Sequence, residues 1–222
     1  MLRLYMVRHG VVQKIAGHLP AYDAPLMAEQ PALECLKPHI AQKAQWYVSP
    51  LMRARQSFEI LAQEGSAPCP VIIDDRLEEQ NFGDWHDKSL KNVWQEIARD
   101  MAPSHPVSFI NPDTIPPNGT SFEAIYDNAR SFLLSVIAKS ASARPDIPQI
   151  IVSHAGTTKA LLGHMMGLSA TQAMMLAIDH GSLSCADYIY DADGPVINNA
   201  PPASNFGVGS RWHIQFINRI YS

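Results

Sequence analysis

Cysteine is scarce in this sequence of 222 residues, and its three copies, Cys35, Cys69 and Cys185, are far apart and odd in number. They form no CxxC pair, so neither a disulfide framework nor a thiolate metal centre is expected. They read as reduced thiols of a cytoplasmic protein. Long apolar runs are also missing. No stretch approaches the ~20 residues that a membrane helix needs. The apolar start, Met1 to Val7, carries Arg3 and runs straight into Arg8-His9, which is not the pattern of a signal peptide. A soluble, cytoplasmic chain with no membrane partner is the expectation. Basic clusters are the third absence. Lys and Arg number 17 against 21 acidic residues, a net charge of −4, and no local run of Lys and Arg compensates. A nucleic-acid surface needs a basic stripe, so nucleic acid is excluded as a general partner.

What is present is a globular balance. Hydrophobic residues make up 46% and charged residues 17%, enough to bury a core without a metal or disulfide staple. The length suits one domain better than two, so a single domain over 1–222 is expected. Short apolar runs predict strands at Leu2–Val7, Gln45–Val48, Val71–Ile73 and Gln149–Val152, with later strands at Gly181–Tyr190 and Arg211–Asn218. Helical spacing falls between them. It is weak over Gln30–Gln42, where Pro31 and Pro38 interrupt it, and clear over Leu51–Glu64, Ser89–Asp100, Thr120 or Ser121 to about Ser140, and Ala155–Met166. Ser49-Pro50 looks like an N-cap with proline at the first helical position. Leu77–Asp87 and Asp191–Ser210 read as loops. Met101–Gly119, rich in proline and free of Lys and Arg, reads as part of a lid or insertion at about 77–120. Strands alternating with helices predict an α/β fold, a three-layer sandwich with a mostly parallel central sheet.

Three strand ends carry chemistry. Arg8-His9 closes the first, Ser49-Pro50 with Arg53 follows the second, and His154 follows the strand at Gln149–Val152. Ligands of open α/β sheets bind outside the carboxyl ends of strands, so these groups are expected to meet. Arg8 and Arg53 present planar forks that match phosphate oxygens. A histidine beside two guanidinium groups has its protonated form disfavoured. It would keep a free ring lone pair, as a nucleophile toward phosphorus requires. A second histidine, protonated, would complete a cage around the developing negative charge. Glu78 and Glu79 are candidates for the acid that protonates a leaving alkoxide.

These residues, in this order, resemble the signature blocks of the histidine phosphatase superfamily, also called phosphoglycerate-mutase-like. Arg8-His9-Gly10 matches its first turn, and Ser49-Pro50-Leu51-Met52-Arg53-Ala54-Arg55-Gln56-Ser57 its second block. Leu77-Glu78-Glu79-Gln80-Asn81-Phe82-Gly83-Asp84-Trp85, Gly119-Thr120-Ser121-Phe122 and Ile150-Ile151-Val152-Ser153-His154-Ala155-Gly156 follow as the third, fourth and fifth. The resemblance implies a phosphoglycerate-mutase-like fold and a metal-independent phosphoric monoester hydrolase of the histidine acid phosphatase type. In it His9 becomes phosphohistidine, and Arg8, Arg53 and His154 bind the phosphoryl group. Glu79 matches the acid position, four residues before Gly83. No cofactor is implied. The pattern departs at Val11-Val12 and near Ile15, where relatives carry polar phosphate contacts, and at Thr120 and His86-Asp87.

His86, beside the third block, is a candidate substrate contact. Arg55 and Arg130 read as structural and Trp85 as packing. His18, His39, His105, His164, His180 and His213 show no metal-site spacing. Three activities fit the resemblance: a phosphatase for small phosphomonoesters, a phosphoglycerate-type mutase, and a non-catalytic binder of phosphorylated ligands or proteins. The segment Asp100–Thr120 offers no cation for a mutase's second anion. Phe82, Trp85, Phe109, Ile110 and Ile115 suit a leaving group with a neutral or apolar body, such as a nucleoside-like or sugar monophosphate. By analogy, an α-ribazole-phosphate phosphatase or a broad-specificity phosphatase fits. The expected partner is a small phosphomonoester, with a homodimer left open.

Overall fold

The computed structural model describes residues 1–41, 43–62, 71–100, 111–143, 147–190 and 211–221. The loop expected at 191–210, residues 101–110 of the expected lid (with His105, Phe109 and Ile110) and Cys69 lie outside the described residues.

Among the described residues six strands form one sheet: β1 (Leu2–Arg8), β2 (Gln45–Val48), β3 (Val71–Ile73), β4 (Gln149–Ser153), β5 (Leu183–Tyr188) and β6 (Trp212–Arg219). Their spatial order is β3-β2-β4-β1-β5-β6. β1 to β4 pair in parallel; β5 is antiparallel to both β1 and β6. Only β5 therefore runs against the rest, and the sheet is mixed, with one reversed strand. β4 is buried along its whole length, as a continuous apolar run on a central parallel strand should be.

The period of two sorts strand side chains into two cores. Leu4, Met6, Tyr47 and Ile151 point to one face, against α3 (Leu90–Asp100), α4 (Phe122–Ala143), α5 (Ala155–Met166) and α6 (Ala170–Ala173). Val7, Trp46, Val48, Ile150 and Val152 point to the other, against α1 (Pro31–Leu36) and α2 (Met52–Leu61). This is the three-layer sandwich. Each fully buried leucine, such as Leu4, Leu33 or Leu161, contributes about 1.5–3 kcal/mol. Trp85 is buried and donates its indole N–H to Glu96 at 3.0 Å, a packing role. Cys35 and Cys185 are free thiols.

Two local expectations need correction. Ser49-Pro50 does not cap α2. The helix starts at Met52, whose N–H donates to Asp23 at 2.6 Å, while the Ser49 hydroxyl accepts from Leu51 N–H at a long 3.4 Å and has a closer partner elsewhere. α6 has no counterpart among the expected helices, although Ser169 and Gln172 form a complete capping box at its start.

Candidate active site

Strand register brings the expected residues to one edge. Arg8 on β1 pairs with Ser153 on β4, and Val48 on β2 pairs with Val152. His9, Ser49 and His154 thus leave three adjacent strands side by side. The His9 and His154 ring centroids lie 5.0 Å apart.

The turn after β1 is held from two sides. Gly10 N–H donates to Ser57 Oγ at 3.0 Å, and Ser57 Oγ donates to the Arg53 carbonyl at 2.6 Å. The Gln30 amide accepts from Val11 N–H and donates to the Val11 carbonyl, both at 2.8 Å. A Cβ at position 10 would sit 2.0 Å from Gln30 Oε1, so glycine here leaves Gln30 room to hold Val11. Val12 is buried, bridges to Leu26 and packs into the second core, so packing explains its apolar character. Val11 is 40% exposed.

His9 is buried, and its Nδ1 lies 2.7 Å from the Gly10 carbonyl. A carbonyl can only accept, so Nδ1 carries the proton and Nε2 keeps the lone pair. Burial, with the Arg53 charge behind it and Arg8 and His180 adding less, holds His9 well below the usual histidine range. The imidazole is neutral near pH 7.

His154 is fully buried. Its Nε2 lies 2.7 Å from Ser49 Oγ and its Nδ1 accepts from Arg53 Nε at 3.2 Å. The Arg53 contact leaves Nδ1 unprotonated, so Nε2–H donates to Ser49. Burial, then His9, Arg53 and Arg8, push His154 well below its ordinary value. The expectation of a protonated second histidine is therefore corrected: complete burial, with His9 and two guanidinium groups beside the ring, favours the neutral form.

Arg53 also donates from Nη1 to the Tyr22 carbonyl at 2.6 Å. Arg8 donates from Nη1 to the Ile178 carbonyl at 2.5 Å, while its buried Nε has no partner among the described residues. Burial works against both guanidinium charges, and Glu79 is the strongest influence opposing it in each case.

Glu79 reaches this edge from the chain after β3. Its carboxylate accepts from its neighbour Gln80 N–H and from Gly156 N–H in the first turn of α5, both at 3.0 Å. The amides at a helix N-terminus favour such an anion. A Cβ on Gly156 would lie 2.1 Å from Glu79 Oε1, so glycine there makes room for the acid. Thr157 Oγ1 donates to the Glu78 carbonyl at 2.7 Å and fixes the backbone next door. Glu78 itself turns to the Tyr22 hydroxyl, at 2.7 Å, and burial with that contact raises the phenol to about 12. The two acidic neighbours are thus separated by their partners.

His86, the expected substrate contact, has backbone partners on both ring nitrogens. Its Nδ1 lies 2.8 Å from the Pro20 carbonyl, and its Nε2 accepts from Phe82 N–H at 3.1 Å. Both ring nitrogens brace the turn after Glu79 against the loop before Tyr22. In the same turn Gly83 has φ +51°, and a Cβ there would lie 2.0 Å from the Pro117 carbonyl oxygen. Asn81 and Thr120 exchange backbone N–H···O and N–H···Oγ1 bonds at 2.8 and 3.1 Å. The described part of the expected lid is tied to the Glu79 segment by these contacts.

Against this geometry stand the comparisons with known proteins. Residues 4–199 match the family model of the histidine phosphatase superfamily, branch 1. The chain belongs to the histidine phosphatase superfamily. It is 28% identical over 203 residues to a probable phosphoglycerate mutase of Escherichia fergusonii, covering 85% of this chain and 86% of that protein. It is 26% identical over 193 residues to the adenosylcobalamin/alpha-ribazole phosphatase of Escherichia coli, covering 84% and 90%. The solved alpha-ribazole phosphatase from Shigella flexneri superposes with a TM-score of 0.65 at 25% identity, covering 85% of this chain and 91% of that one. A mycobacterial glucosyl-3-phosphoglycerate phosphatase superposes at 0.73 with 20% identity, covering 98% of each chain; that likeness shows the fold alone. As a histidine phosphatase superfamily member, the chain is an enzyme of the phosphatase and mutase group. No helix among the described residues is long and apolar enough to cross a membrane.

Three groups at the site of this histidine phosphatase superfamily member were not found by sequence reasoning. His180 Nε2 lies 2.8 Å from Arg8 Nη2, and its ring is 5.3 Å from His9. Lys159 on α5, held at the Met174 carbonyl at 3.0 Å, feels both Glu79 and Arg8. Tyr22 supports Arg53 and Glu78. His180 has no local signal: residues before a reversed strand reach the same edge as residues after a parallel one, and the apolar run of β5 does not disclose its direction.

Proposed function

We propose that this chain is a metal-independent phosphomonoesterase that hydrolyses a small phosphorylated metabolite through a phosphohistidine on His9. The observation that carries the reading is the Gly10 carbonyl on His9 Nδ1, which leaves the Nε2 lone pair beside Arg8, Arg53 and His154. The Nε2 lone pair attacks phosphorus and the P–O ester bond breaks. The Glu79 carboxylic acid gives its proton to the leaving oxygen. Nδ1–H stays on the Gly10 carbonyl, which favours the charged ring of the intermediate. Glu79, now a carboxylate, takes a proton from water, the water oxygen attacks phosphorus, the P–N bond breaks and phosphate departs.

Arg8 and Arg53 serve as the phosphate clamp, and the unpartnered Arg8 Nε is a donor kept for it. A phosphoryl dianion reverses the field at His154. Arg53 Nε then turns from His154 Nδ1 to the phosphoryl group, and Nδ1 takes up a proton with the substrate and donates to a phosphoryl oxygen, while Ser49 keeps hold of Nε2. These fixed charges do what a divalent cation does in other phosphatases.

Ile115, 67% exposed, and half-buried Phe82, three residues after Glu79, suit a leaving group with a nucleoside-like or sugar body. The two relatives named as alpha-ribazole phosphatases fit that class. The relative named as a probable mutase favours a second reading, phosphoglycerate mutation. The test is turnover of p-nitrophenyl phosphate and a panel of nucleoside, ribazole and sugar monophosphates and phosphoglycerates, with chelator present. Release of phosphate undiminished by chelator is expected. No turnover, or turnover abolished by chelator, overturns the reading, and interconversion of 2- and 3-phosphoglycerate without phosphate release selects the mutase.

A further inference from the structure

His180 lies in the loop between α6 and β5, outside every block that carries the family resemblance. Its neighbour Gly181, at φ +70°, donates its N–H to the carbonyls of Arg8 and His9 at 3.1 and 3.2 Å. The loop therefore grips the backbone of the nucleophile turn. The His180 side chain reaches Arg8 Nη2 at 2.8 Å. A guanidinium can only donate, so His180 Nε2 must be the acceptor and its proton must sit on Nδ1. Arg8 is thus held at Nη1 by the Ile178 carbonyl and at Nη2 by His180, with Nε left over.

We infer that His180 is a positioning residue for Arg8, fixing the plane of the guanidinium so that its unpaired Nε meets a phosphoryl oxygen. The inference rests on the phosphatase reading for its kinetic consequence, though not for its geometry. Burial, together with Arg8, Lys14 and Arg53 and against Asp179, lowers His180 to about 4; His9 is its remaining titratable neighbour, ring against ring. The acceptor state thus persists across neutral pH.

Three variants separate this role from simple packing. Gln places an amide oxygen near the Nε2 position and can accept from Arg8; Ala and Leu cannot. His180→Ala and His180→Leu are expected to lower kcat/KM on p-nitrophenyl phosphate roughly 10- to 100-fold, the scale of one hydrogen bond to a charged group. They should weaken inorganic phosphate binding, measured by calorimetry, in parallel. His180→Gln should recover most of both. Nitrogen-15 spectra of the histidine rings in the wild-type protein should show His180 as the Nδ1–H tautomer near pH 7. Wild-type activity within about threefold in the Leu variant, failure of Gln to recover more than Leu, or an Nε2–H tautomer would each overturn the inference. If the wild type turns over no ester at all, the phosphatase reading falls, and the tautomer and phosphate binding still decide the role of His180.

Discussion

At residue scale, Glu79 has the most specific surroundings of any carboxylate at the site. Two backbone amides hold it, a glycine on α5 makes room for it, and it is the main opposing charge for both arginines. As a general acid it matters only where the leaving group needs a proton. Glu79→Gln should therefore slow alkyl and sugar monoesters by roughly 10²- to 10⁴-fold while slowing p-nitrophenyl phosphate, a good leaving group, far less. Equal slowing across a leaving-group series would count against the role. Glu79 could be placed from its spacing to Gly83, as could Arg8, His9, Arg53 and His154 from their blocks. The ionisation of His154 could not. It depends on the Arg53 Nε–Nδ1 contact and on complete burial, which no local pattern encodes. For His86 the position beside the turn was legible, but the Pro20 and Phe82 backbone groups at its ring nitrogens were not.

At the scale of elements, the strands were legible because their apolar runs are short, dense and bounded by turn residues. Gln45–Val48 and Val71–Ile73 stand where their patterns put them. Direction was harder. An apolar run reads the same either way, so nothing in Leu183–Tyr188 announces that β5 is reversed against β1. That reversal brings His180 and Gly181 to the catalytic edge, and so their place there went unseen. Helix ends blurred for a related reason. Ser49-Pro50 has the composition of a cap, yet the Ser49 hydroxyl faces His154 Nε2 at 2.7 Å, a partner 105 residues away. Tertiary demand overrides local capping preference at functional strand ends.

At the scale of the whole molecule, the site stores a pH liability. His9 and His154 sit well below 6.5 in the folded chain because of burial and neighbouring positive charge. Below about pH 6.5 the unfolded chain binds protons that the folded chain refuses, so stability is full above that pH and falls as pH drops. Each group contributes up to about 1.4 kcal/mol per pH unit. The melting temperature of the free protein should fall between pH 7.5 and 5.5, and saturating phosphate, which favours the imidazolium, should reduce the slope; a flat profile without phosphate would contradict this electrostatic account. The same cluster of neutral histidine, arginine clamp and acid is what makes the folded chain a candidate hydrolase. The most direct test of that claim is to mix enzyme with p-nitrophenyl phosphate, quench rapidly and map phosphorylated peptides. The account predicts an acid-labile phosphoryl group on His9, and its loss together with turnover in His9→Ala. Turnover surviving in His9→Ala, or an acid-stable phosphoryl group on another residue, would contradict it.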